Sequence, residues 1–374
     1  MVRNTLILRK LQQALPLLFF LLIAAKSLLI LPACKPGNMA VDANADTTSH
    51  NFVFQIDTLG DGNSSLLNDV CIIDENNIWA VGQIHLKDAL GNFTPPYNIA
   101  RWDGNKWSLQ RLALPQYNFD CTIAFFSSAL ATAVYGFSPA TVILTDGASV
   151  LKWSGSQISH YPCIPLPMLG DGRIVKLWGT SENSFYAVGT KGIIFYYNGS
   201  SWQKLASGTT VDIQDIWGAV DGKTGQTTIL AIASFINYGR GLDLLQIQGT
   251  TASKLDTAGL RIAQSSVWFT PGQSVYVVGD GLFSKSKFTD ARWQLDGTQP
   301  SIYKRRIRGN SWNDFFIAGD FGLLSHYNGM TWKHYQGEKF PSFFGLWSSV
   351  AVNGNMIVAV GEINDQAIGL RGKR

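Results

Sequence analysis

The stretch at residues 174–205, IVKLWGTSENSFYAVGTKGIIFYYNGSSWQKL, contains four short apolar runs separated by polar or glycine-containing breaks. Each run is rich in β-branched and aromatic side chains, which favour strands. Asn198-Gly199 separates the third run from the fourth, and Asn-Gly is the strongest short signal for a tight hairpin. The stretch therefore predicts a four-stranded antiparallel meander.

Relatives of this meander recur along the chain. The run FYAVG ending at Gly189 has counterparts that end at Gly82, Gly136, Ser234, Gly279, Gly319 and Gly361. Their spacing of about 40 to 54 residues is typical of the four-stranded blades of a β-propeller. The strand before each run recurs at 69–72, 177–179, 216–218, 267–269, 307–309 and 346–348. A hairpin of an aromatic residue, Asn or Asp, Gly, two further residues and Trp ends at Trp107, Trp202 and Trp332, and 151–158 is a copy without the tryptophan.

Seven copies can be counted, with inner strands starting near Asp69, Phe119, Ile174, Asp212, Ile262, Tyr303 and Phe343. We predict an all-β fold, a seven-bladed β-propeller of four-stranded antiparallel blades, with 122–126 as an inner strand of the second blade. Six or eight blades stay open as alternatives, because the second and fourth copies are degenerate. The last copy has residues for three strands only, so we expect the alternating strand at 52–59 to complete it. An unpaired edge would leave backbone N–H and C=O groups unmet.

The positive charge of the chain is concentrated at its N-terminus. The formal net charge is +4, but Arg3, Arg9, Lys10 and Lys26 lie in the first 33 residues, which contain no acidic residue. Without them, 26 basic residues (30 − 4) face 26 acidic ones. A nearly neutral chain lacks the basic surface that binds nucleic acid. We therefore expect no nucleic-acid partner.

The N-terminus resembles a secretory leader, with a basic start and an apolar run at 14–25. Leu31-Pro32-Ala33-Cys34 resembles the bacterial lipoprotein box, which implies cleavage before Cys34 and lipid attachment to its thiol. An uncleaved anchor, or cleavage elsewhere, is the alternative. Lys35 differs from the aspartate that resembles an inner-membrane retention signal, which favours the outer membrane. We predict a signal peptide at 1–33, a flexible tether at 34–50, a membrane attachment through the lipid, and a propeller at 51–374.

Candidate ligand contacts lie where copies depart from the common pattern. Arg308 replaces the tryptophan of its repeat and could hold an anion at the mouth of the central channel, or it could be an ordinary paired arginine. The fourth copy carries two polar, glycine-rich segments, 221–227 and 237–241. Tyr238 and Arg240 in the second segment are further candidates, since insertions in repeat proteins often mark the binding side. Tolerated surface loops are the alternative.

The remaining chemistry-bearing residues favour structural roles. Trp178, Trp217, Trp268 and Trp347 could ring the channel and stack on sugars, but packing between blades is the default for such residues. His326 and His334 flank a hairpin, where we expect cross-strand surface histidines, and no two histidines have metal-ligand spacing. Besides Cys34, the cysteines are Cys71, Cys121 and Cys163, an odd number. A bridge between Cys71 and Cys121, or buried free thiols, are the two arrangements considered.

The WDG and YNG hairpins resemble the aspartate-box hairpins of sialidase-type bacterial propellers, over about 320 residues. In this chain Asp or Asn is followed directly by Gly, and we find no arginine triad of the kind a sialidase needs. The repeats also resemble those of photosystem assembly-factor propellers, whose clustered arginines this chain lacks. Chains with such a leader and such repeats sometimes carry a glycosyltransferase label, but neither an Asp-x-Asp after a strand nor a nucleotide-binding domain is present.

Taken together, these features favour a lipid-anchored propeller of the cell envelope that binds or scaffolds a protein or a glycan. We expect a monomer without a cofactor or a metal. The alternative is a glycan-active enzyme, either a glycoside hydrolase or a glycosyltransferase. A close pair of carboxylates in a pocket at the channel mouth would favour the enzyme. Apolar side chains that fill the channel would favour the binding module.

Overall fold

The computed structural model describes residues 47–128, 130–155, 157–236, 241–336 and 344–374. These residues form seven four-stranded antiparallel sheets and one two-stranded hairpin. The first strands of the sheets contact one another in a closed cycle, so that each is flanked by the first strands of two neighbouring sheets. The predicted seven-bladed propeller is therefore confirmed.

Every blade runs outward from the central channel. The innermost strands are β2 (Leu66–Asp74), β8 (Ala133–Ser138), β12 (Ile174–Ser181), β16 (Ile213–Val220), β20 (Gln264–Phe269), β24 (Lys304–Ser311) and β28 (Gly345–Asn353). The second strands are β3 (Asn77–Ile84), β9 (Thr141–Thr145), β13 (Ser184–Gly189), β17 (Thr227–Ser234), β21 (Val275–Gly279), β25 (Asp314–Gly319) and β29 (Met356–Ile363).

The outer half of each blade is shorter and more exposed. The third strands are β4 (Tyr97–Trp102), β10 (Val150–Trp153), β14 (Ile194–Tyr197), β18 (Leu242–Gln248), β22 (Gly281–Lys285), β26 (Leu324–Tyr327) and β30 (Gln366–Lys373). The outermost strands are β5 (Trp107–Gln110), β11 (Ile158–His160), β15 (Trp202–Lys204), β19 (Thr251–Leu255), β23 (Gln294–Leu295), β27 (Trp332–His334) and β1 (Val53–Thr58). The remaining elements are the hairpin β6 (Leu114–Tyr117) and β7 (Ile123–Ser127), the short helix α1 (Leu166–Leu169) and a 3₁₀ turn at Thr190–Gly192.

The N-terminal strand closes the ring, as predicted. β1 pairs antiparallel with β30, from Val53 opposite Lys373 to Thr58 opposite Ile368. Asp57 on β1 also joins the last blade to the first. Its Oδ2 accepts hydrogen bonds from Trp107 Nε1 at 2.9 Å and from Arg371 Nε at 2.8 Å. The first and the last described strands therefore belong to one sheet. β1 covers the edge that β30 would otherwise leave open.

The alternation of strand direction defines two faces. We call the top face the side at which every innermost strand begins. It carries the connections from an outermost strand to the next blade and those between second and third strands. The bottom face carries the connections between first and second strands and between third and fourth strands.

The recurrent hairpins on the bottom face are held by their own side chains. Asn198 Oδ1 accepts hydrogen bonds from the backbone N–H groups of Ser200 and Ser201, both at 3.0 Å. The following residue, Gly199, has φ 95°, a left-handed conformation that a side chain would strain. Asp103 and Asn328 accept equivalent bonds in blades one and six. The Asn/Asp-Gly pair therefore has a structural role in these three blades.

The tryptophans of the innermost strands pack between blades. Trp178, Trp217 and Trp268 are buried, and Trp178 lies so close to Gly218 of the next blade that a Cβ at position 218 would be 2.3 Å from its ring. Trp217 Nε1 donates to the carbonyl oxygen of Phe269, also in the next blade. These contacts are the expected packing between blades.

The register of two blades differs from the prediction. The innermost strand of blade two is β8, which contains Gly136, whereas 122–126 belongs to the exposed hairpin β6–β7. Gly136 packs against Cys71 and Ile73 of blade one, as Gly218 packs against Trp178 of blade three. In the last blade, the residue equivalent to Trp178 by register is Ala351, so Trp347 occupies a different position from the one predicted.

The prediction for the cysteines is wrong. Cys121 and Cys163 form a disulfide, with their Cα atoms 5.7 Å apart, so Cys121 does not pair with Cys71. None of Cys71, Cys121 and Cys163 is a free thiol. Cys163 precedes α1 in the connection from blade two to blade three, and Cys121 lies at the tip of the β6–β7 hairpin. The sequence does not indicate this pairing, because the apolar run at 122–126 predicts an inner strand that would hold Cys121 inside a blade.

Candidate functional site

A ring of polar residues surrounds the channel near the top face. In six of the seven innermost strands the pairing with the second strand is shifted by a bulge, and the residue just after the bulge is polar. These residues are Asp69, Lys176, Asp215, Ser266, Arg306 and Ser349. All six are buried. Because the bulge repeats at the same place in the repeat, side chains from distant parts of the sequence meet in the channel.

Asp215 is the centre of one half of this ring. Its carboxylate accepts bonds from Arg308 Nη1 at 3.0 Å and Nη2 at 2.7 Å, and from Ser266 Oγ at 2.6 Å. Arg306 Nη1 lies 2.6 Å from Asp215 Oδ1, but outside hydrogen-bond geometry. Burial alone would raise the pKa of Asp215, but the two guanidinium groups lower it to about 2. Asp215 therefore stays ionised at neutral pH and cannot serve as a proton donor there.

Asp69 and Lys176 form the other half. Lys176 Nζ lies 2.5 Å from Asp69 Oδ1, and Ser349 Oγ donates to the same oxygen at 2.9 Å. Burial, together with the positive charges of Arg306 and Arg308, lowers the pKa of Lys176 to about 8, against the opposing attraction of Asp69. Lys176 is thus charged at neutral pH, although less firmly than a surface lysine.

Below the ring, the channel narrows to a cavity of about 50 Å³. Its walls are mostly apolar and aromatic, and include Tyr135, Trp178 and Trp217. Lys176 and Arg308 are the charged residues in its lining. The volume is a few times the ~10–15 Å³ that one water molecule needs, so a sugar ring does not fit. The described channel therefore lacks the pocket with two carboxylates that a glycoside hydrolase would need.

The sequence-predicted site residues fall in different places. Arg308 does reach the channel, where it pairs with Asp215, and its guanidinium carbon lies 4.7 Å from the centre of the Trp217 ring. Its role in anion binding stays a prediction. Tyr238, Arg240 and Cys34 lie outside the described residues. The segment 221–227 forms an exposed turn on the bottom face, closed by a bond from Asp221 N to Gln226 O.

The clearest candidate surface was missed from the sequence. The hairpin β6–β7 is inserted between blades one and two on the top face, and Phe119, Ile123, Phe125 and Phe126 project from it. Their exposed fractions are 77%, 47%, 61% and 54%. The signal in the sequence was an apolar run that lacks the glycine-bounded spacing of the other blades.

The hairpin is held firmly on blade two. The Cys121–Cys163 disulfide ties its tip to the connection before α1. Gln116 Nε2 donates to Asp146 Oδ2 at 2.6 Å, and Ser149 Oγ donates to the carbonyl oxygen of Pro115. Further exposed apolar residues lie in top-face connections of other blades, namely Leu90, Phe93, Ile262, Phe321 and Phe344. The top face is therefore the more apolar of the two loop faces in the described chain.

A second polar cluster fastens the N-terminal segment to blade six. His326 Nε2 lies 2.9 Å from Asp314 Oδ1, and His326 Nδ1 lies 2.8 Å from His50 Nδ1. Since His326 Nε2–H donates to Asp314, His326 Nδ1 accepts a hydrogen bond from His50 Nδ1–H. His326 is fully buried and pairs across the hairpin with Lys333, so the expected surface pair with His334 is wrong. His334 bonds to Ser325 instead.

The described residues contain neither a candidate metal centre nor a membrane-spanning helix. No group of three or more His, Cys, Asp or Glu side chains in that part of the chain could hold a metal ion. Within the same residues, no helix has the length and apolar character needed to cross a bilayer. The channel and the top face therefore remain the candidate sites.

Comparison with known proteins places the fold and leaves the family open. No family model and no curated protein sequence matches the chain. Among solved structures, YCF48 bound to a D1 peptide superposes with a TM-score of 0.62 at 15% identity, covering 87% of this chain and 98% of that one. YCF48 from Cyanidioschyzon merolae gives 0.56 at 15% identity, covering 84% and 98%. The WD40 propeller domain of Doa1 gives 0.56 at 12% identity, covering 86% and 97%. At these identities the likeness establishes a β-propeller fold, which agrees with the resemblance to photosystem assembly-factor propellers.

Proposed function

We propose that this protein is a monomeric, lipid-anchored β-propeller of the bacterial cell envelope that binds a protein partner on its top face. The observation that carries the proposal is the β6–β7 hairpin, which displays four large apolar side chains to solvent. A contiguous, exposed apolar surface on a folded domain is typical of an interaction site.

The shape of the hairpin favours an extended polypeptide as the ligand. β7 pairs with β6 along one edge, and no other described strand pairs with its second edge. An added strand could therefore pair with that edge along residues 123–126. A bulge shifts the register between Phe125 and Ile123, so Ile123 and Phe126 lie on one face of the hairpin and Phe125 on the other. An added strand would therefore gain apolar contacts on both sides. The ligand we infer is an extended, uncharged, apolar segment of another protein.

Rigid support makes the hairpin suited to binding. A two-stranded hairpin is marginally stable alone, but the Cys121–Cys163 disulfide and the Gln116–Asp146 bond fix its position. Less ordering entropy is then lost when a partner binds. YCF48, which superposes on this chain, has been solved with a D1 peptide, and Doa1 has a WD40 propeller. Peptide binding thus occurs within the fold.

A glycan ligand and a glycan-active enzyme receive less support. The channel cavity of about 50 Å³ is too small for a sugar, and its carboxylates Asp69 and Asp215 are each engaged by cations. Exposed aromatic rings can stack on sugars as well as on peptides, so glycans are included as an outcome of the test.

The test compares three versions of the full-length protein in detergent: wild type, the double variant F125S/F126S, and V220S on the bottom face. Each is panned against a random peptide library and applied to a glycan array. We expect apolar, uncharged peptides that bind wild type and V220S alike and bind F125S/F126S at least about tenfold more weakly, a loss of about 1.4 kcal/mol. Equal binding to all three proteins, or binding to glycans alone, would overturn the proposed protein partner.

The envelope location is tested separately through Cys34. Lipid attachment predicts that wild type fractionates with outer membranes and carries the mass of the lipid, and that Cys34→Ala loses both. One chain gives only marginal membrane binding, so stable attachment needs more than one. A lipid-modified thiol cannot form a disulfide. A disulfide-linked peptide that contains Cys34 in the mature protein would therefore contradict this part of the proposal.

A further inference from the structure

We propose that the channel cavity binds a small inorganic anion of chloride size, held by Lys176 and Arg308. This site is independent of the top face and of any partner bound there. The first reason is the balance of charge in the channel. Three cations, Lys176, Arg306 and Arg308, face two carboxylates, Asp69 and Asp215, and all five side chains are buried.

The surplus positive charge has no acidic partner among the described channel residues. Both oxygens of Asp215 are engaged by the Arg308 guanidinium, and Oδ1 also lies 2.6 Å from Arg306. Asp69 is engaged by Lys176, by Ser349 and by the backbone N–H of Val134. The nearby buried Lys304 directs its Nζ to the carbonyl oxygens of Pro300 and Ile302, away from this cluster. A buried charge without a counter-charge is costly.

Arg306 gives the second reason. Its side chain is nine-tenths buried, and neither Nε nor Nη1 has a hydrogen-bond partner of acceptable geometry in the described chain. Buried guanidinium N–H groups are nearly always satisfied in native proteins. Arg306 thus contributes a full positive charge to the channel while using few of its donors, which raises the attraction of the channel for an anion.

The third reason is the position of the cavity relative to these charged side chains. Lys176 and Arg308 line the cavity, whereas Asp69 and Asp215 do not. A ligand there contacts two cationic side chains and apolar walls, and neither carboxylate is in contact with it. About 50 Å³ holds a halide or a few waters. The apolar walls offer few donors to a larger, strongly hydrated oxyanion such as phosphate.

The test measures thermal unfolding of the full-length protein in sodium chloride and in sodium gluconate at equal ionic strength. We expect chloride, and equally bromide, to raise Tm in a saturable way, with an apparent Kd that gluconate does not reproduce. Arg306→Met removes the surplus charge without touching the cavity lining, and should weaken chloride binding roughly tenfold. Lys223→Met, in the exposed bottom-face turn, is the matched control and should behave as wild type.

Crystals of the wild type grown in bromide provide a measurement that does not depend on how any variant folds. An anomalous peak beside Lys176 Nζ and Arg308 is expected. Tm values that are the same in both salts, a chloride effect retained in full by a folded Arg306→Met, or bromide found only at surface sites would each overturn the proposal.

Discussion

Asp215 on β16 and Arg308 on β24 meet across the channel in a two-point ion pair, with Nη2 2.7 Å from Oδ1 and Nη1 3.0 Å from Oδ2. They lie two blades apart, and Ser266 of the intervening blade donates to the same carboxylate. One carboxylate thus fastens three consecutive innermost strands. Such a pair stabilises the ring only while it is complete, because loss of one partner leaves a buried charge.

Asp215→Ala is expected to lower the free energy of unfolding by about 3–5 kcal/mol, because Arg306 and Arg308 would then be buried without their counter-charge. Urea denaturation of the full-length protein measures this. Asp171→Ala, an exposed carboxylate without a hydrogen bond or ion pair among the described residues, is the control and should leave the midpoint almost unchanged. A midpoint for Asp215→Ala equal to that of the control would show that the channel is hydrated and open.

Gly218→Ala is expected to destabilise the protein by about 1–3 kcal/mol. The new Cβ would lie 2.3 Å from the Trp178 ring, which is fixed between two blades. Gly222→Ala is a matched control four residues away, since a Cβ there meets nothing within 4 Å. Differential scanning calorimetry compares the two variants. Similar Tm values would mean that Trp178 does not pack against blade four.

The attachment of the N-terminal segment through His50 should depend on pH. Burial, together with the positive charges of His326, Lys333 and Arg374, lowers the pKa of His50 from 6.5 to about 4 in the folded protein. Between these values the unfolded chain binds a proton that the folded chain does not. The stabilising contribution of His50 is therefore full above pH 6.5 and is lost as the pH falls towards 4.

Comparison of wild type with His50→Ala by thermal unfolding tests this effect. The wild type should melt at a higher temperature at pH 7.5, and the difference should shrink at pH 5. His160→Ala, on an exposed outer strand, serves as the control. A difference for His50→Ala that is the same at both pH values would show that the attachment through His50 does not depend on its protonation state.

The blade architecture was predictable because the sequence signals for each strand and each turn are local. FYAVG and YNGSSW satisfy the periodicity of strands and the chemistry of a tight turn within a few residues of each other. Blade two was placed wrongly because the apolar run at 122–126 fits a buried strand as well as it fits the exposed hairpin it forms. A run of apolar residues alone does not show whether another part of the protein covers it.

The channel could not be assembled from the sequence in the same way. Asp69, Lys176 and Asp215 are far apart along the chain, and only closure of the ring brings them together. A signal was nevertheless present. In six repeats a polar residue directly precedes the apolar part of the innermost strand, at the position of the bulge. Alignment of the repeats at that residue would have identified the polar ring, although not its pairing.

Photo-crosslinking in living cells tests the proposed role of the top face most directly. A benzophenone amino acid is placed at Phe125 in the β6–β7 hairpin or, as the control, at Met330 on the bottom face, which is 71% exposed against 61% for Phe125. We expect position 125 to crosslink to one partner protein, within an extended uncharged apolar segment, and position 330 not to crosslink. Equal crosslinking at the two positions, or a partner captured only at Met330, would contradict a binding site on the top face.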